Sequence, residues 1–304
     1  MNRYDCDRML VAVLELGSFA AAARRIGVSS ATASKMIARL EQQLGVQLIQ
    51  RTTRALSATE AGQLYFEGIR GVLESLDELD TAVTTRSAEP AGHLRISVPH
   101  TFGVRWVVPS LNAFAARYQR ISLDVSFADR AVNLVQEGYD AAVRIGRLTD
   151  STLVARRLTS SRAWLVAAKG YLDQHGTPQT PGDLAKHDCV IDTNFPDPCI
   201  WRFDAGAHEP AVRVAVESRL SFSDAEAVLE AARAGLGVAR IPGFVASSSV
   251  ADGHLVRLLP RWTIPGTGVY VVHPAGRRPP HKVRLLIDWL VDYFDDPPAW
   301  EASG

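Results

Sequence analysis

Residues 17–45, GSFAAAARRIGVSSATASKMIARLEQQLG, leave the chain little choice of local fold. The four alanines at 20–23 favour helix, since alanine has the lowest cost of any residue in a helix interior. Ser18 stands where a side-chain oxygen can cap a helix start, and Gly27 where a left-handed residue can end one. Ser29 and Gly45 repeat the arrangement. The pattern predicts a helix over 19–26 and another from 30 to near 44, preceded by one over 4–16 with Cys6, Leu10 and Val13 on a single face. In the helix after Ser29, Ala33, Ile37, Leu40 and Leu44 form one apolar stripe. Opposite lie Ala31, Lys35 and Gln42, flanked by Thr32 and Arg39 on one side and by Ala38 on the other. Two helices joined by a short glycine-containing turn make a helix-turn-helix, and the alanines let the first helix lie close against the second.

Formal net charge is zero over 304 residues, but charge is segregated. Residues 1–54 carry eight Lys and Arg against four Asp and Glu, and residues 55–89 carry two against seven. The basic head ends in LIQRTTRALS, which suits a short two-stranded wing with Arg51, Thr52, Thr53 and Arg54 as donors. Ser57 and Glu60 have capping-box spacing. Beyond them Tyr65, Ile69, Val72, Leu76, Leu79 and Val83 recur at heptad spacing, which predicts a dimerising helix over 58–85, about 40 Å long. Its remaining faces are acidic and solvated. Pro90 and Gly92 close that segment.

From Leu94 onward short strands alternate with helices. LRISVP, ISLDVSF, YDAAVRI, AWLVAA, VRVAVES, GVARI and GVYVVHP read as strands. VVPSLNAFAARY, AVNLVQEG, KGYLDQHG, SDAEAVLEAARAG and KVRLLIDWLVDYF read as helices. Ser223 with Glu226 predicts a capping box, and Gly235 a helix stop. The alternation indicates open α/β sheets. Some 210 residues is long for one five-stranded sheet, so two α/β lobes with a cleft between them are expected, the last strand and helix returning to the first lobe.

The segment FAAAARRIGVSSATASKMIARLEQQLGVQLIQRTTRALSATEAG resembles the DNA-binding region of the LysR-type transcriptional regulators. The ordered set Gly17-Ser18-Phe19, Ala22-Ala23, Ser34, Leu40-Glu41, Leu44-Gly45, Leu48, Arg51 and Thr59-Glu60-Ala61-Gly62 carries the likeness. It continues through DRAVNLVQEGYDAAVRIG, DSTLVARRL, AAKGYLDQHGTPQTPGDLAKHDCV and EAARAGLGVARIPGF, phrases similar to those of the dicarboxylate and aromatic-acid responders. The resemblance implies an α/β-class chain in three parts. These are a winged helix-turn-helix over 1–60, a linker helix over 61–91 and an effector domain over 92–304 like a type 2 periplasmic binding protein. Lobe I would take about 92–161 and 267–304, and lobe II about 162–266. It implies a dimer or tetramer on an operator in double-stranded DNA, a small-molecule effector, and RNA polymerase as a further partner. Ser30 and Ala31 depart from the Gln and Pro or Ser that the family often carries there, so operator preference does not transfer.

A helix entering the major groove needs small residues at its start, polar tips for base edges and cations at its flanks. Ser29, Ser30, Ala31, Thr32, Ser34 and Lys35 fit the first two needs, with Ser29 doubling as a cap. Arg39, Arg51 and Arg54 suit phosphate, and the helix start at Ser18 can hold another phosphate through free N–H groups. In the α/β part, ligands bind at the carboxyl ends of strands. That rule selects Pro99, His100, Thr101 and Phe102 after the first strand, Arg144, Gly146 and Arg147 in RIGR, Phe222 and Ser223 in SFSDAE, and Ile241 and Pro242 in RIPGF. A small carboxylate is the expected effector. His100 also reads as a turn histidine and Arg144 as half of an internal ion pair. Phe195, Trp201 and Phe203 read as a strand with a core tryptophan sooner than as an aromatic cage.

Three cysteines and no N-terminal apolar run point to a reducing cytoplasm. A thiol switch through Cys189 and Cys199 is the alternative mode of regulation. No GxSxG, HExxH or CxxC spacing and no dinucleotide loop occur, so neither catalysis, a metal nor a cofactor is expected. A transport solute-binding protein would suit the lobes but not the first 90 residues or the missing signal.

Overall fold

The computed structural model describes residues 2–51, 56–84, 90–146, 152–204, 210–275, 279–295 and 297–302. The chain divides into two compact units, Met1–Pro90 and Ala91–Gly304.

The first unit opens with α1 (Arg3–Leu16), α2 (Phe19–Ile26) and α3 (Ser30–Leu44). Gly17, Gly27 and Gly45 each end a helix in the left-handed conformation that glycine adopts without strain. Cys6, Met9, Leu10 and Val13 of α1 meet Ala22 and Ala23 of α2 and Ala33, Met36, Ile37 and Leu40 of α3 in one core. Ala22 and Ala23 are buried, which accounts for the small residues of α2. Met36 extends the α3 stripe, and Leu44 is only half-buried at its end. The hairpin β1 (Ile49–Arg51) and β2 (Leu56–Ala58) follows, then α4 (Glu60–Thr84). The Ser57–Glu60 box does not form, because Ser57 belongs to β2, paired with Gln50. Thr59 caps α4 instead. Its hydroxyl accepts from the Gly62 N–H at 2.9 Å and donates to the Gln47 carbonyl at 2.6 Å.

The second unit begins with β3 (Gly92–Val98) and a helical run of α5 (His100–Phe102), one π turn (Gly103–Val107) and α6 (Val108–Arg117). Then come β4 (Ile121–Phe127), β5 (Ala141–Gly146) and β6 (Leu153–Ser161). Next come β7 (Ala163–Ala167), α7 (Lys169–His175), a 3-10 turn (Pro181–Lys186) and β8 (Cys189–Asp192). The hairpin strands β9 (Ile200–Phe203) and β10 (Val212–Ala215) precede β11 (Ser218–Phe222), α8 (Ala225–Arg233), β12 (Val238–Pro242), α9 (Gly243–Ala251) and β13 (Val256–Arg257). Last are β14 (Thr267–Pro274), α10 (His281–Tyr293) and α11 (Ala299–Ala302).

Two five-stranded sheets result, ordered β4-β3-β5-β14-β6 and β11-β8-β12-β7-β13. The chain leaves the first sheet after β6 and returns to it as β14, antiparallel to both β5 and β6. Phe102, Phe244, Phe294 and Trp300 join the two lobes in one apolar cluster. A second core behind the second sheet holds Trp201 and Phe203, both buried, so they are core residues as expected.

In the second unit two more local expectations fail. AVNLVQEG is not a helix but a set of turns, closed by Glu137 N–H to Asn133 and Tyr139 N–H to Leu134. Asn133 starts the turn through its side chain and Gly138, at φ 70°, ends it before a second turn can form. At α8 the cap is Asp224, not Ser223. One Asp224 oxygen accepts from the N–H groups of Glu226 (2.9 Å) and Ala227 (3.1 Å). An ionised carboxylate at a helix start is favoured over the neighbouring hydroxyl.

Candidate nucleic-acid interface and effector cleft

In the first unit, α3 turns Ser30, Ala31, Lys35, Ala38, Arg39 and Gln42 to solvent, and Thr32 and Ser34 are half-buried. Lys35 and Arg39 make no hydrogen bond or ion pair with the described residues, so both cations stand ready for an external anion. Ser29 serves as the cap. Its hydroxyl accepts from Thr32 N–H at 3.1 Å and lies 2.8 Å from the Thr32 hydroxyl. Ser18 caps α2 by accepting from Ala21 N–H at 3.3 Å. Glu41 has a role that the sequence reading missed. Its Oε1 accepts from Leu48 N–H (2.8 Å) and Ile49 N–H (3.1 Å), which ties the end of α3 to the wing. The Arg51 side chain and residues Thr52, Thr53 and Arg54 lie outside the described residues.

Along α4, Val72 and Leu76 are 40% and 41% exposed, Ile69 is half-buried, and Leu64, absent from the expected seam, is 74% exposed. Tyr65 differs from the expectation. Its hydroxyl donates to Asp7 at 2.8 Å and accepts from Arg3 at 2.8 Å, fastening the helix to α1 of its own chain. Asp7 is buried and needs those partners, so Tyr65 is committed before a second chain arrives. The side chains of Leu79 and Val83 lie outside the described residues.

In the second unit, Pro99 precedes α5 and the His100 N–H donates to Asp129 at 3.0 Å. The His100 ring Nδ1 lies 3.5 Å from the Asp224 carboxylate, and Thr101 donates to the same oxygen at 3.4 Å. The capping residue of α8 thus also links the lobes. Arg105 reinforces the link with a two-pronged pair to Glu226, at 2.6 and 2.9 Å.

Arg144 donates to the Val143 carbonyl (2.9 Å) and the Ser97 hydroxyl (3.1 Å). It forms no ion pair among the described residues, and burial lowers its pKa, with Asp129 opposing the shift. Gly146 ends β5 at φ 131°, and Arg147 lies outside the described residues. Phe222 and Pro242 are half-buried and Ser223 is exposed.

Two expected pocket residues are core instead. Phe102 is 1% exposed, with ring centroids 5.0 to 5.9 Å from Phe244, Phe294 and Trp300. Ile241 is fully buried, because strand alternation turns it into the same cluster. The sequence reading also passed over Asp129, Asp192 and Asp224. Each follows or ends a strand, which was the available signal. Asp192 is buried, and its carboxyl is pushed up by burial, against a hydrogen bond from Asn194 N–H.

Of the cysteines, Cys189 is buried, and burial pushes its thiol up to about 12, far from the range of a reactive thiolate. Cys199 is exposed. No group of three or more His, Cys, Asp or Glu able to hold a metal occurs among the described residues. No described helix is long and apolar enough to cross a membrane.

A helix-turn-helix with a small, basic outer face and a two-lobed α/β unit on one chain agree with the comparisons. Residues 8–63 match the bacterial regulatory helix-turn-helix protein, lysR family, and residues 87–295 match the LysR substrate binding domain. The chain belongs to the LysR family of transcriptional regulators. An HTH-type regulator of Haemophilus influenzae is 35% identical over 93% of this chain and 98% of its own length. The HTH-type transcriptional activator AaeR of Escherichia coli is 31% identical over 97% and 94%. The full-length structure of AphB, a virulence activator of Vibrio cholerae, superposes with a TM-score of 0.60 at 27% identity, covering 95% of this chain and 98% of AphB. This LysR-type chain is thus a DNA-binding transcriptional regulator with an effector-binding domain. The family points to regulation and away from catalysis, and a thiol switch is not favoured.

Proposed function

We propose that the outer face of α3 enters the major groove, with Ser30, Ala31, Thr32, Ser34 and Lys35 at base edges. Arg39, Arg51 and Arg54 then meet phosphate beside Thr52 and Thr53. The α2 start at Ser18 and the α3 start at Ser29 face the backbone. The observation that carries this is the solvent-turned row Ala31, Lys35, Ala38, Arg39 and Gln42, small and cationic on a helix whose opposite side buries Ala33, Met36, Ile37 and Leu40. Ile69, Val72, Leu76, Leu79 and Val83, with Leu64, pair α4 with a second copy. A dimer then meets two half-sites one helical turn apart, about 34–36 Å, and two dimers make the tetramer. Residues 1–60, 61–91 and 92–304 serve as head, linker and effector domain. In the effector domain, Pro99, His100, Thr101, Arg144, Gly146, Arg147, Phe222, Ser223 and Pro242 receive a small carboxylate. The regulator works in the cytoplasm, where RNA polymerase reads its occupancy.

The test is a titration of labelled duplex from the regulator's own promoter region, at several salt concentrations and against scrambled duplex. Lys35→Ala loses about 1–3 kcal/mol on the specific duplex alone if Lys35 reads a base. A phosphate role gives a uniform loss, with a salt slope smaller by about one. Unchanged binding by both Lys35→Ala and Arg39→Ala removes α3 from the interface.

A further inference from the structure

Arg240 occupies an unusual place for an arginine. It lies in β12, an interior strand of the second sheet, and is only 7% exposed. Its neighbours Ala239 and Ile241 point into the cluster shared by the lobes, whereas Val238, on Arg240's own face, packs with Trp201 and Phe203. The guanidinium therefore sits on the Trp201 side of the sheet, near the carboxyl end of the strand and beneath the 193–199 connection. Its central carbon is 4.0 Å from the Phe195 ring centroid and 5.6 Å from that of Trp201. One Nη donates to the Asp197 carbonyl at a long 3.4 Å. The Nε is buried and has no protein acceptor. Among the described residues no carboxylate reaches ion-pair distance, although Asp192 and Asp197 are near enough to be felt. Burial lowers the group to about 10, so it stays charged at neutral pH.

A buried cation held by ring faces and one long hydrogen bond is under-compensated. The missing element is an acceptor on the Nε edge. That edge, with an adjacent Nη, is the fork that matches a carboxylate. Phe195 packs with its ring centroid 4.0 Å from the guanidinium carbon, and the Nε–H is left without a protein acceptor. A doubly charged phosphate would bring its second charge against Asp192 and Asp197, so a singly charged carboxylate suits the surroundings better. We propose that Arg240 anchors the carboxylate of a small organic molecule, admitted beneath the 193–199 connection with half-buried Phe195 as its roof. Arg240 lies outside the set assigned above to the cleft around His100 and Arg144, and the 193–199 connection bonds to Phe222 and Ser223 of that set.

Thermal unfolding of the full chain in acetate, benzoate, sulfate and chloride, at matched ionic strength, tests the proposal. The wild type is expected to melt higher in the carboxylates than in chloride, with sulfate giving no comparable shift. Arg240→Met removes an under-paired buried charge, so its melting point in chloride rises by about 2–4 °C and the carboxylate shift vanishes. Arg240→Lys keeps the charge without the fork and loses the shift without gaining stability. A lower melting point for Arg240→Met in chloride shows the guanidinium to be a structural element and overturns the proposal. So does a carboxylate shift that survives in both variants, or one absent from the wild type. A shift lost in Arg144→Met but kept in Arg240→Met moves the carboxylate to the cleft, which defeats this site and leaves the cleft reading standing.

Discussion

Replacing Gly62 by alanine tests how the wing is fixed to α4. In a helix interior alanine is favoured over glycine by about 0.8–1 kcal/mol, so propensity alone predicts a gain. The structure reverses the sign. A Cβ on Gly62 would stand 1.8 Å from the Leu48 carbonyl oxygen and 2.7 Å from its carbon. Leu48 cannot simply move away. Its N–H is held by Glu41 at 2.8 Å, and its carbonyl accepts from Thr59 N–H at 2.9 Å. One backbone must yield by about 1.5 Å to restore ordinary contact distance. Overpacking costs about 1–3 kcal/mol where flexible side chains can shift, and a clash between backbones belongs at the upper end. The net loss is about 2 kcal/mol. In a unit of this size that lowers the melting point by on the order of 10 °C. Gly68 is the internal control, since a Cβ there meets nothing within 4 Å. Gly68→Ala should gain the propensity term and melt slightly higher. The six tryptophans all lie beyond residue 100, so tryptophan fluorescence follows the second unit while far-ultraviolet circular dichroism follows both. Gly62→Ala should displace the dichroism transition and leave the fluorescence transition in place. A Gly62→Ala protein as stable as Gly68→Ala refutes the argument.

Three further outcomes follow from particular contacts. Both Glu41 bonds end on one oxygen, so Glu41→Gln retains an acceptor and changes stability little, whereas Glu41→Ala strands two N–H groups and costs about 1–3 kcal/mol, read by denaturant titration. Buried His187, 3.2 Å from the Tyr171 hydroxyl, has its pKa lowered from 6.5, first by burial and then by His175, against Asp183 and Asp188. The unfolded chain therefore binds the extra proton first, and stability falls as pH drops below about 6.5 until the depressed pKa is passed. His187→Gln should flatten that part of the stability–pH profile, and an unchanged slope counts against the burial argument. A double-mutant cycle over Arg105 and Glu226 should give a coupling of about 1 kcal/mol, since both side chains are partly exposed, and a value near zero would show the bridge to be ornamental.

What the sequence disclosed follows from which forces leave a period. The stripe through Ala33, Ile37 and Leu40 was legible because burial on one side of a helix repeats with its turn, and the glycine stops because glycine takes their φ with least strain. The lobed α/β part was legible as alternation, and the strands at Cys189 and Trp201 were read, though β6, β11, β13 and α9 were not read as elements. Thr59 was hidden behind Ser57, and Asp224 behind Ser223, because each true cap sits near a second residue able to cap. Hairpin pairing settled the first case and carboxylate strength the second. AVNLVQEG carried a helical composition, but Asn133 and Gly138 close one turn and stop it. Phe102 and Ile241 were drawn into the pocket by their place at strand ends. Alternation along β12, applied to Ile241, would have returned it to the core and exposed Arg240 as the residue on the other face. Tyr65 fitted the heptad, and nothing local shows that Asp7, 58 residues earlier, needs its hydroxyl.

The same contacts limit how an effector can act on the second unit. The lobes are not two bodies on a loose hinge, since Phe102, Phe244, Phe294 and Trp300 make one apolar cluster across them. Cores of this kind are close-packed and do not deform smoothly, so any change between lobes has to be a step between two packed arrangements. A ligand can drive such a step only by the difference in its affinity for the two arrangements, and a complete reversal of a 1:99 equilibrium needs about 5.5 kcal/mol. Asp224 is placed where that difference can be made. One of its oxygens holds the start of α8, while the other faces His100 and Thr101 of the opposite lobe. If the proposed cleft takes a carboxylate at His100, that group competes with Asp224 for the same donors. Under that reading the competition loosens the link between lobes without disturbing the cap, and the charge of the effector outweighs its bulk.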